Sequence, residues 1–273
     1  MKGKFATTTL AAVGLMSVNV AFGAERTMDG GSEWTGNNWT ARDLWRGQIY
    51  ANDGDVALIK NSASFAKGKP GLNMDKSGLS LGGLDLDTLV VPFYSASGYF
   101  VTMVGDRPFL AGTATTKTSV QLPIKGSGEN VLRRQGAGTI VLQTPVEGFS
   151  RFEVWQGEVT AATNATANPA IAKAGTDVVL CGGTVKVAGR EPGETATIPS
   201  MKVAPGVGRL DVENGATVTL GAFAREPGGV GIIHSDKGVA ALGDTEKVLV
   251  KDRASDAPGT VDGSLVTMER TAC

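Results

Sequence analysis

Short runs of alternating apolar and polar residues recur along most of the chain. They include Leu79-Ser80-Leu81, Leu84-Asp85-Leu86-Asp87, Thr139-Ile140-Val141-Leu142-Gln143, Phe152-Glu153-Val154-Trp155, Thr184-Val185-Lys186-Val187, Arg209-Leu210-Asp211-Val212 and Thr217-Val218-Thr219-Leu220. A period of two puts the apolar side chains on one face of an extended strand. Glycine-rich corners separate the runs, at Gly82-Gly83, Gly136-Ala137-Gly138, Gly182-Gly183, Gly206-Val207-Gly208 and Asn214-Gly215, where a positive φ costs little. Gly, Pro and clustered Thr and Val interrupt nearly every window that could hold a helix. The pattern predicts an all-β protein.

Spacing refines this. A glycine followed by a strand run begins at Gly138 and returns at Gly157-Glu158-Val159, Gly183-Thr184-Val185 and Gly208-Arg209-Leu210, in steps of 19, 26 and 25 residues. A period of that length predicts a parallel β-helix, or β-solenoid, in which each coil buries its apolar face only by stacking on its neighbours. If about six aliphatic side chains point inward per coil, at roughly 1.5 to 3 kcal/mol each, a coil gains on the order of 10 kcal/mol before entropy is charged. Several coils are therefore needed. The structural alternative is a β-sandwich, whose short strands have the same propensities. A sandwich leaves the long period without a cause and favours tight hairpins, for which only Asp53-Gly54 and Asn214-Gly215 lie close enough to strand runs.

The N-terminus carries a different signal. Lys2 and Lys4 precede an apolar stretch from Phe5 to Val20, and Ala21-Phe22-Gly23 places small residues where a signal peptidase cuts, so a secretory signal with cleavage before Ala24 is expected. Thr7, Thr8, Thr9, Ser17 and Asn19 dilute the stretch and disfavour a retained membrane helix. The expected organisation is a signal at 1–23, a capping segment with the first strands at 24–78, solenoid repeats at 79–250, and a tail or the start of a further segment at 251–273. The mature chain is expected to have no transmembrane segment and to reside at the cell surface or outside the cell.

Composition narrows the chemistry. The 26 Lys plus Arg balance 27 Asp plus Glu, which argues against a nucleic-acid partner, and 41% hydrophobic residues suffice for a core. Two cysteines and one histidine among 273 residues make neither a disulfide scaffold nor a zinc cluster. Cys181 and Cys273 lie about four coils apart, or about 19 Å along the axis. A disulfide needs Cα atoms within about 7 Å, so Cys181 is expected to be small and buried and Cys273 to be free.

Two segments resemble a known family. One is Trp34-Thr35-Gly36-Asn37-Asn38-Trp39, with Leu44-Trp45-Arg46-Gly47 and Asn52-Asp53-Gly54-Asp55-Val56-Ala57-Leu58-Ile59. The other runs through Gly126-Ser127-Gly128, Val131-Leu132-Arg133-Arg134-Gln135-Gly136-Ala137-Gly138-Thr139-Ile140-Val141-Leu142 and Phe152-Glu153-Val154-Trp155-Gln156-Gly157-Glu158-Val159. Together they resemble bacterial proteins with autotransporter-associated β-strand repeats, also called passenger-associated transport repeats. At the usual Asn-Thr-Tyr-Thr-Gly corner this chain has Pro145-Val146-Glu147-Gly148-Phe149. The resemblance implies a right-handed parallel β-helix, export, and display on or release from a bacterial surface.

Candidate chemical residues have ordinary structural readings. Trp34, Trp39 and Trp45 could form a sugar platform, but are expected to cover the open end of the solenoid; the face of Trp155 is undetermined. Asp85 and Asp87 alternate with leucines on one strand face, about 7 Å apart, a spacing compatible with glycosidase or lyase chemistry or calcium, but a solvated face is the expected reading. Asn52-Asp53-Gly54-Asp55 lacks the rest of a calcium loop and reads as a turn. Gly228-Gly229-Val230-Gly231-Ile232-Ile233 has isoleucine where a β-roll needs a ligand aspartate. His234, with Ser235 and Asp236 beside it, cannot form a triad from sequence neighbours that face opposite ways, and is expected at the surface or an edge. No catalytic, cofactor-binding or metal residue is assigned. The expected function is a passenger-like structural or adhesive protein without catalysis of its own, contacting extracellular glycans, matrix, a host surface or its own copies. The alternatives are a carbohydrate-active β-helix enzyme, a lyase or hydrolase, and a carbohydrate-binding module.

Overall fold

A computed structural model describes residues 23–29, 38–60, 71–87, 92–114, 116–161, 171–189, 191–235, 242 and 245–251, and the backbone strand at 265–268. The segment 1–22, Trp34, Asp236 and Cys273 lie outside the described residues.

Two parallel sheets stack along one axis in a β-solenoid of about seven turns, and Val101–Met103 and Ile124–Lys125 add a short side branch to the first sheet beside Leu79–Asp85. The regular coils pair Phe109–Ala111 with Lys117–Val120, Val131–Gln135 with Thr139–Leu142, Arg151–Val154 with Glu158–Ala161, and Asp177–Leu180 with Thr184–Ala188. They continue with Thr195–Val203 and Gly206–Glu213, Thr217–Arg225 and Gly229–Ser235, and Lys247–Val250 and Leu265–Met268. Toward the N-terminus the first sheet extends through Leu79–Asp85 and Asp55–Ile59 to Glu25–Met28, and the second through Phe93–Tyr94 to Leu72–Asn73. Every pairing between these strands is parallel, which rules out the antiparallel sandwich. Helix among the described residues is limited to 3-10 turns at Arg42–Leu44 and Arg46–Gln48.

The glycine period is the interstrand register. Thr139 pairs with Glu158, Glu158 with Thr184 and Thr184 with Arg209, the residues that steps of 19, 26 and 25 make equivalent. The inward column Ile140, Val159, Val185 and Leu210 is buried, as is Leu142, Ala161, Val187 and Val212 beside it. From the first sheet, Leu132, Phe152, Val178 and Met201 make an equally buried inward column. Apolar area removed from water between coils is the main stabilising term.

The N-terminal end is closed by the segment between the first two strands of the first sheet. Trp45 bridges Met28 on that sheet's outermost strand, and Asn38 bridges Asn73 on the outermost strand of the second. Both edges that would otherwise invite strand addition are engaged. Trp39 and Trp45 are buried, with ring centroids 4.9 Å apart at 67°. The Trp39 indole donates to the Ala51 carbonyl at 3.1 Å and the Trp45 indole to the Trp39 carbonyl at 2.7 Å. Neither ring presents a face to a ligand, and both cover the end as expected.

Candidate functional site

Outward side chains come from successive coils about 4.8 Å apart, so charges on neighbouring coils meet. Arg133 pairs with Glu153 at 3.3 Å, Lys186 with Glu213 at 2.7 Å, Lys125 with Glu147 at 2.8 Å and Arg26 with Asp55 at 3.2 Å. Lys173 adds a second cation to Glu147, Lys202 pairs with Asp177, and Arg209 with Asp211.

One concavity lies at the corner where the first sheet hands the chain to the second. It has a volume of about 350 Å³ and is lined by Asp85, Gly112, Gln135, Gly136 and Gln156, among others. Asp85, Ala111 and Gln135 are in register on consecutive strands. Trp155 follows one position past the Arg134–Val154 pair, which makes it the next rung. The floor is backbone. A Cβ on Gly136, whose φ is +81°, would fall 2.3 Å from the Gly112 carbonyl oxygen, and one on Gly157 would fall 2.4 Å from that of Gly136.

Arg134 holds this corner from beneath. It occupies the inward column between Leu110 and Val154 and is fully buried. Its Nη1 donates to the Gln135 carbonyl and, at 3.0 Å, to that of Gly136, and its Nη2 donates to the Gly138 carbonyl; Nε has no hydrogen-bond partner. Burial lowers its pKa to about 10, against an upward pull from Asp85, so it stays charged at neutral pH. Burial raises the Asp85 pKa, opposed by the Asp87 amide that donates to its carboxylate at 2.9 Å and by the charges of Lys60 and Arg134. Asp85 ends its strand and is half-buried, so the two acids do not form the plain solvated strand face that alternation suggests.

Trp155 is 43% exposed. Its Nε1 donates to Glu153 at 2.8 Å, and the Arg133 guanidinium lies 5.4 Å from its ring centroid. The indole is thus held in place while remaining open to solvent.

The other sequence candidates lie apart from this corner. Asp53 and Gly54 have φ of +54° and +85° and form the expected turn, with the Asp55 amide donating to the Asn52 carbonyl at 3.0 Å. Asn52, Asp53 and Asp55 border a second concavity of about 430 Å³ at the N-terminal end, where Arg26 and Asp55 neutralise one another. Gly229–Ser235 is an ordinary strand.

Two expectations need correction. His234 is buried, not at the surface: it points outward from its strand, but Asp211 flanks it in register on one side and the strand Leu265–Met268 on the other. Its Nδ1 lies 3.6 Å from Asp211, while Ser235 faces away and donates to buried Glu246, so no triad forms. Cys181 is half-buried rather than buried, and burial, with Glu153 and Glu226 nearby, pushes its thiol up to about 11.

Sequence reasoning passed over Arg134 and Glu246. For Arg134 the signal was present: alternation puts it on the Leu132 face, directly before a glycine corner whose carbonyls need donors. Among the described residues no three His, Cys, Asp or Glu side chains gather as a metal site, and no helix is long and apolar enough to cross a membrane. No protein-family model matches the chain, and neither does any curated protein or solved structure.

Proposed function

We propose that the chain is an exported, passenger-like β-solenoid that serves as a structural or adhesive surface rather than as an enzyme. The observation that carries this reading is the in-register stack whose outward charges are engaged by charges from the same or adjacent coils. Such a face carries its charges largely as neutral pairs, and Glu147, Glu153, Asp177 and Glu213 are held in ion pairs rather than free for general acid–base catalysis. The basic-then-apolar start of the chain supports export. The repeat-like block at 126–159 supports a passenger-like origin, since it spans two adjacent coils, Val131–Gln135 with Thr139–Leu142 and Arg151–Val154 with Glu158–Ala161.

Deleting residues 2–23 and following the chain by cell fractionation and protease accessibility tests export. Particles coated with the purified protein test adhesion. Retention inside the cell only after the deletion, together with particle binding to cells or matrix, supports the reading. Equal distribution of both forms, or inert particles, contradicts it. The enzyme alternative would work at Asp85, the half-buried acid at the corner groove; loss of polysaccharide turnover in D85N is its signature.

A further inference from the structure

The corner groove and Trp155 are contiguous. Gln135 and Gln156 both line the groove; Gln135 is the register neighbour of Trp155 and Gln156 follows it in the chain. We propose that they form one binding site for an uncharged saccharide chain lying along the solenoid axis. This deepens the adhesive reading and rests on it.

The lining carries the chemistry. Gln135 and Gln156 are exposed, and each side-chain amide offers donors and acceptors together, as sugar hydroxyls do. The floor at Gly112 and Gly136 is backbone packed closely against its own neighbours, Thr116 and the adjacent coil, so it is a firm surface for a ring to lie on. Arg134 ties down the carbonyls of Gln135, Gly136 and Gly138 from inside, so little ordering remains for the ligand to impose. Net charge at the corner is small, with the carboxylate of Asp85 set against the buried guanidinium of Arg134, which favours a neutral ligand over an ionic one. The volume of about 350 Å³ lies in the range of small-ligand sites.

Trp155 supplies the apolar half. Its indole is fixed through Glu153 and Arg133 yet 43% exposed, which suits stacking against the C–H face of a pyranose at low entropic cost. Asp85, Ala111, Gln135 and Trp155 stand on four consecutive rungs, about 14 Å from end to end, enough for a short oligosaccharide.

The test titrates the purified full chain with cello-, malto-, laminari- and galacto-oligosaccharides, with oligogalacturonate as the charged comparison, following tryptophan fluorescence and calorimetry. At least one neutral oligosaccharide is expected to bind saturably. W155A should weaken it at least tenfold, W155F less, and Q135A/Q156A by several-fold, all with an unchanged circular dichroism spectrum. Neutral binding that survives W155A overturns the site but leaves adhesion standing elsewhere on the molecule. Failure of every neutral sugar, or binding of oligogalacturonate alone, overturns the inference, and the particle assay then decides separately whether the adhesive reading survives.

Discussion

Arg134 Nη1 donates to the carbonyl oxygen of Gly136 at 3.0 Å from within the solenoid, so a buried cation fixes the corner that borders the groove. R134A leaves a cavity and removes the side-chain donor from the carbonyls of Gln135 and Gly136, while that of Gly138 keeps the Glu158 amide at 3.0 Å. A loss of about 3 to 5 kcal/mol in urea unfolding is expected. R134M, which refills the volume, should lose less while still falling below the parent by more than about 1 kcal/mol. A loss under about 0.5 kcal/mol for R134A would show that the corner does not depend on it.

The corner glycines give a second, independent contrast. Gly136 and Gly128 both have positive φ, +81° and +102°, but a Cβ at Gly136 meets the Gly112 carbonyl oxygen at 2.3 Å, whereas one at Gly128 meets nothing within 4 Å. G128A should therefore cost only the left-handed strain, about 1 kcal/mol. G136A must also separate two coils and should cost at least twice that. Equal effects in thermal and urea unfolding would refute the close stacking of the corners.

How far the sequence foretold this follows from what sets each feature. The coil register is legible because corners that need glycine recur once per coil, so the steps from Gly138 to Gly157, Gly183 and Gly208 become strand pairings. Trp155 takes the outward face that alternation with Glu153 gives, one position past the strand Arg151–Val154, against the usual preference of a large aromatic ring for the interior. His234 shows the opposite limit: alternation gives its outward face, but burial there comes from strands on both sides. Arg134 was legible in outline, since alternation puts it on the Leu132 face directly before a glycine corner, but that the carbonyls of Gln135, Gly136 and Gly138 turn inward to receive it is a property of the folded corner.

Acid should destabilise the fold through identifiable groups. Hydrogen bonds from Lys125 and Lys173 hold Glu147 below its ordinary value, outweighing burial. At Asp177 burial acts upward, and hydrogen bonds from Lys202 and Ser200 outweigh it. Both carboxylates release their protons more readily folded than unfolded, so their stabilisation is present above the ordinary carboxylate range and lost as pH falls through the folded values. Lys186 behaves conversely: burial acts downward but its bond to Glu213 raises it, so its contribution holds below the ordinary lysine value and fades at alkaline pH above it. Urea midpoints should be level near neutrality and fall below about pH 4.5, with E147Q flattening part of that acid limb. A midpoint unchanged down to pH 3 would contradict the assignment.

Cys181 should be a sluggish thiol despite its partial exposure. With its pKa near 11, against about 8.5 for an ordinary cysteine, its thiolate fraction at pH 8 is lower by roughly two orders of magnitude. In a C273S background, reaction with an aromatic disulfide reagent should be correspondingly slow and should quicken in urea. A rate like that of a free peptide thiol would show that the thiol is not desolvated.

The most direct measurement for the central claim is a glycan-array screen of the purified protein, with turnover of every bound polysaccharide followed in parallel. Binding without cleavage is the expected result, since ion pairs between coils engage Glu147, Glu153, Asp177 and Glu213 and the corner groove presents amides, backbone and the Trp155 indole. Cleavage of a bound polysaccharide, abolished by D85N, would contradict it and make the solenoid an enzyme.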